Sequence, residues 1–158
     1  MTILTEDMKR VVREQRLAFM ATVSPDGTPN LSPKGSIRVW DDDHLMFADL
    51  RSPNTIANLG SNPAIEINVV DQTLRKGYRF KGTANILNEG PTFEQAMATY
   101  RKDIERADER IRAVVFVRVE RALSLTSPGY DIGRTEAEMR EWWGRYWDEL
   151  RAGARAGE

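Results

Sequence analysis

The stretch from Thr28 to Trp40 constrains this chain more than any other, because it follows the turn Ser24-Pro25-Asp26-Gly27 and is then interrupted by Pro29, Pro33 and Gly35. Proline pre-sets one turn dihedral and glycine permits positive φ, so the turn folds a hairpin back onto the β-rich run LAFMATV. Proline cannot donate to a sheet ladder. The returning segment is therefore expected to be an irregular strand with a bulge or an unpaired edge, with backbone groups free for a ligand.

Other segments follow from periodicity. Thr5 caps a short opening helix, with Glu6 and Asp7 in its first turn and Met8, Val11, Val12 and Gln15 at helical spacing. After the polar turn Asp41-Asp42-Asp43, HLMFAD resumes as a strand. Arg51-Ser52-Pro53-Asn54-Thr55 opens a helix, with Ser52 as cap, Pro53 at the first helical position, and Gly60 with Pro63 closing it. AIEINVVD, GYRFKGTANILN and AVVFVRVERALSL read as strands, and in the second of these Tyr78, Phe80, Gly82, Ala84 and Ile86 alternate with polar residues, which marks one buried face. Pro91 to Arg110 reads as one long helix, and Thr135 to Leu150 as another with Met139, Trp143, Tyr146, Trp147 and Leu150 on one face.

Antiparallel hairpins without a regular βα alternation argue for a mainly β, α+β fold: a six-stranded antiparallel split β-barrel with helices at its ends. One domain is expected over residues 1–158, with the barrel at about 10–127, a C-terminal helical tail at about 134–152, and fraying after Gly153.

Charge and composition exclude whole function classes. Twenty-three basic and 24 acidic residues leave no basic field to gather a nucleic acid, and no cysteine and one histidine leave no set of side chains for thiolate or histidine-based metal chemistry. His44, after three aspartates, reads as an exposed imidazole paired with a carboxylate, and the charges from Arg101 to Arg110 as a solvated helix face. The charged N-terminus lacks the apolar centre of a signal peptide and no run is long enough to cross a bilayer, so no membrane partner and a cytoplasmic location are expected.

Two polar segments carry the candidate chemistry. Arg51, Ser52, Asn54 and Thr55 put hydroxyls, an arginine and free amides at a helix start, which is what a phosphate requires. Ser32-Pro33-Lys34-Gly35-Ser36 offers a cation, two hydroxyls and a glycine that allows close backbone approach. If the hairpin lays this strand beside HLMFAD, the two segments converge.

The order of these features resembles the pyridoxamine 5'-phosphate oxidase-like FMN-binding split-barrel family. The resemblance lies in the F-x-x-x-x-S-x-x-T stretch from Phe47 to Thr55, the Asn62-Pro63 pair and the Gly27-Thr28-Pro29 tripeptide. It implies a cofactor, FMN bound without covalent linkage, at the interface of a homodimer. Arg51, Ser52, Asn54 and Thr55 would hold its phosphate with Lys34 or Ser36, while Ser32, Lys34, Gly35, Ala48 and Asp49 would line the ring and ribityl chain. The vitamin B6 oxidases carry an Arg-x-x-x-x-Lys pattern where this chain has Pro33 and Arg38. The function implied is thus a flavin-dependent oxidoreductase acting on an unidentified small molecule or electron donor, with a deazaflavin-dependent reductase or a non-catalytic flavin carrier as alternatives.

Overall fold

A computed structural model describes residues 2–153. Helix α1 (Glu6–Gln15) begins where the Thr5 hydroxyl accepts the Met8 amide, and β1 (Ala18–Val23) turns through Ser24–Gly27 into β2 (Pro29–Lys34). Strands β3 (Arg38–Val39) and β4 (His44–Asp49) follow, then α2 (Pro53–Ser61), β5 (Ala64–Asp71) and β6 (Lys76–Leu87). Helices α3 (Pro91–Tyr100) and α4 (Ala107–Arg110) lead to β7 (Ala113–Thr126), and α5 (Glu136–Arg151) follows behind a Thr135–Glu138 capping box. Among the described residues no helix is long and apolar enough to cross a membrane.

All seven strands form one antiparallel sheet in the order β2-β1-β5-β6-β7-β4-β3. Its two edges, β2 and β3, are neighbours in sequence, joined only by Gly35, Ser36 and Ile37. A flat sheet of this width would set its edges about 29 Å apart, at ~4.8 Å per strand. The chain from Lys34 to Arg38 spans at most about 14 Å. The sheet must curl until its edges meet, and a split barrel results.

The inner face holds Met20, Leu45, Phe47, Ile67, Phe80, Val115 and Val117, packed under α1 and α2. The opposite faces of β4 and β7 are also covered, because Met46, Ala48, Val114 and Phe116 pack with Ala96, Met97 and Tyr100 of α3. This double burial explains why HLMFAD reads as a continuous apolar run. The outer face of β1 and β2 has no such cover, and Phe19, Val23 and Leu31 are exposed there, Leu31 by 65%. On β2, Pro29 and Pro33 sit opposite Val23 and Phe19 at the sheet edge. An edge strand tolerates residues that cannot donate to a ladder.

Two expectations are corrected. Seven strands stand in place of six, because the segment from Thr28 to Trp40 breaks at Gly35–Ile37 and its halves join opposite edges of the sheet. The helix expected from Pro91 to Arg110 stops at Tyr100, and four residues of helix resume only at Ala107 after the left-handed Arg106 (φ 56°). Asp103, in the gap, is drawn to the guanidiniums of Arg16 and Arg38. Arg101 pairs across seven residues with both Glu94 and Asp108, so the expected solvated helix face gives way to a folded-back turn. The fraying expected after Gly153 lies outside the described residues.

The β6–β7 ladder is bulged at Lys81–Gly82, where Glu120 is the extra residue on β7, and a Cβ built on Gly82 would stand 2.1 Å from the Arg118 carbonyl oxygen. Gly82→Ala is expected to lower stability by about 1–3 kcal/mol through forced separation of β6 and β7, as measured by urea denaturation.

Candidate functional site

The seam where the sheet closes is also where the polar segments meet. Across it, the Ser36 hydroxyl accepts the Ala48 amide at 3.0 Å and donates to the Ala48 carbonyl at 3.3 Å, standing in for a missing pair of ladder bonds. Beside this bridge opens a groove of about 350 Å³. Ser32, Pro33, Lys34, Gly35 and Ser36 line one wall, and Ala48, Leu50, Arg51 and Ser52 the other. The convergence of the two segments is thus a property of the closed sheet, since β2 ends and α2 begins at the same seam.

Lys34 is 6% exposed, and its ammonium donates to the Ser32 hydroxyl and to the Pro33 carbonyl. Burial pulls its pKa below the ordinary lysine value, with the charge of Asp49 opposing that shift. Asp49 is itself buried and accepts the Ser52 amide at 3.1 Å. That bond caps α2. Ser52, expected to cap it, makes no side-chain cap bond, so its hydroxyl is left to the groove. Arg51 is exposed, and among the described residues its guanidinium has no partner. The groove therefore presents a buried cation, a free guanidinium and hydroxyls, a set suited to an anion.

Three of the candidates do not line the groove: Asp49, buried beside it, Asn54 and Thr55. Thr55 is 1% exposed and faces the barrel interior, where its hydroxyl lies 3.5 Å from the Asn30 amide nitrogen. Asn30 also donates to Thr22, which accepts from Asn58, so Thr55 belongs to a network tying α2 to β1 and β2. Asn54 is exposed one residue earlier and does not line the groove. Pro33 and Leu50 line it without having been singled out. Arg38 and Tyr100 bind the carbonyls of the linking loop from behind, and only the need of a buried tyrosine O–H for a partner could have signalled the second. His44 pairs with Asp41 at 2.8 Å.

Residues 4–124 match the model of the pyridoxamine 5'-phosphate oxidase family. The crystal structure of HupZ from Group A Streptococcus is 37% identical, covers 79% of this chain and 96% of its own, and superposes with a TM-score of 0.71. An FMN-binding protein from Syntrophomonas wolfei is 16% identical (78% and 87% covered, TM-score 0.66), and HutZ, the heme storage protein of Vibrio cholerae, is 19% identical (77% and 94% covered, TM-score 0.62). At such identities the last two share the fold.

A lysine with a lowered pKa disfavours folding in its charged form, fully below that pKa and less as pH climbs toward the ordinary lysine value. Lys34→Met is accordingly expected to melt higher than the unaltered chain at neutral pH, with the gap narrowing as pH rises into the alkaline range; thermal melts across pH check this.

Proposed function

We propose that this chain, which belongs to the pyridoxamine 5'-phosphate oxidase family, binds FMN non-covalently in the seam groove and acts as a flavin-dependent oxidoreductase on a small molecule. The observation that carries this reading is the pairing of Lys34 with Arg51 across one groove, beside the Ser32 and Ser52 hydroxyls. Burying a lysine in this way opposes folding, and the charge-assisted hydrogen bonds of a phosphate would offset it. Bound flavin supplies hydride or electron transfer. The chain's part is to hold the phosphate, orient the ring and keep water from it.

The donor set supports flavin over heme. The groove wall carries no histidine, cysteine, methionine or tyrosine to ligate heme iron, and the one histidine is held by Asp41 outside it. Arg38, at the position that is lysine in the vitamin B6 oxidases, spends its guanidinium on the Gly35 and Ile37 carbonyls and on Asp103. This supports a substrate other than pyridoxamine phosphate.

A second copy of the chain is the partner this reading needs. The uncovered apolar face of β1 and β2 reaches the groove through Pro33, which is opposite Phe19 in the sheet and also lines the groove wall. A copy seated on Phe19 and Leu31 would bury that patch and roof the groove at once. Phe19→Asp with Leu31→Asp is expected to turn a dimer into a monomer in sedimentation equilibrium and to release the flavin.

The purified protein is expected to absorb in the blue with the bands of FMN. A deazaflavin band at shorter wavelength, or the intense Soret band of heme, would replace this reading. Arg51→Ala is expected to weaken FMN binding by about 1.5–3 kcal/mol, roughly ten- to a hundredfold, in a flavin-fluorescence titration. Unchanged affinity would place the phosphate elsewhere. Rapid anaerobic bleaching by a nicotinamide nucleotide would mark an enzyme, and slow bleaching a carrier.

A further inference from the structure

Behind the groove, three successive carbonyls of the link between β2 and β3 are tied down by one cluster. Arg38 donates to the Gly35 carbonyl at 3.2 Å and to the Ile37 carbonyl at 2.7 Å. The Tyr100 hydroxyl, from the end of α3, donates to the Ser36 carbonyl at 3.0 Å. Asp103 in turn receives the guanidiniums of Arg38 and Arg16, and Arg38 lies over the Tyr100 ring at 5.7 Å.

Each member is locked in its role. Tyr100 is fully buried, and burial raises its pKa, so the hydroxyl remains a donor across the physiological range. For Asp103, desolvation favours the neutral form, but the hydrogen bonds from Arg38 and Arg16 outweigh it and lower the pKa, so the carboxylate stays charged. Neither group lines the groove itself.

The geometry points to Tyr100, Arg38 and Asp103 as positioning residues that preset the Gly35–Ser36 turn to receive a phosphate group. A trans peptide is planar, with its C=O and N–H on opposite sides, and the chain holds no cis bond among the described residues. Pulling the Gly35 carbonyl back onto Arg38 therefore sends the Ser36 amide the other way, and Tyr100 does the same for the next peptide. Without these ties the turn would sample both orientations, and binding would bear the cost of ordering it. The same side chains hold Ser36 in place for its bridge to Ala48.

This inference rests on the flavin reading, so the test compares FMN with riboflavin, which has the ring and ribityl chain but no phosphate. Tyr100→Phe keeps the packing and removes the hydrogen bond. It is expected to weaken FMN roughly tenfold, the effect of one hydrogen bond, while riboflavin affinity stays within about twofold. Asp103→Asn, at a partly exposed position, is expected to give the same split with a smaller loss. A purely structural role would weaken both ligands alike, and that result, or no loss for FMN, would overturn the inference alone. An unaltered protein that binds no FMN would overturn the flavin reading and this inference together.

Discussion

Three residues cannot stretch across a flat seven-stranded sheet, and the rest of the molecule follows from that limit. Gly35, Ser36 and Ile37 join opposite edges, so the sheet curls, its inner face becomes a core, and the Ser36 hydroxyl of the link comes to pair with the Ala48 backbone of β4. The groove is what remains of the gap. A site of this kind needs no insertion or added domain; it is the incompletely zipped closure of the sheet itself.

Stability and function pull apart at this seam. Lys34 is desolvated, Asp49 is buried beside it, and the walls carry hydroxyls where apolar contact would pack better. Chains accumulate such unfavourable groups where binding requires them. The barrel around the seam compensates with apolar residues on the inner face and, at β4 and β7, on both faces. Arg38 illustrates the division of labour: its guanidinium steadies the backbone behind the groove, while Lys34 and Arg51 are the cations on the groove walls.

Much of this was legible in the residues. Alternation in β6, the turn at Ser24–Gly27 and the cap at Thr5 each follow local rules, and the structure agrees with them. Pro29, Pro33 and Gly35 marked the strand between Thr28 and Trp40 as irregular, but nothing local states that its two halves belong to opposite edges, since that depends on pairings dozens of residues away. Periodicity carried a helix past Tyr100 because Ile104 still falls on the apolar face, whereas α3 ends at Tyr100 and Asp103 beyond it pairs with Arg16 and Arg38. The site was half legible for a similar reason. Residues 32–36 and 48–52 reach the seam, whereas Thr55 lies one helical turn further along α2, where the side chain points into the barrel.

Pro29 and Pro33 have a final consequence for the open edge of the sheet. A split barrel exposes a raw strand margin, and such margins recruit foreign strands into continuous ribbons. Two imide nitrogens on β2 deny that margin the regular donors a ribbon requires. Edgewise polymerisation through this margin is thereby disfavoured.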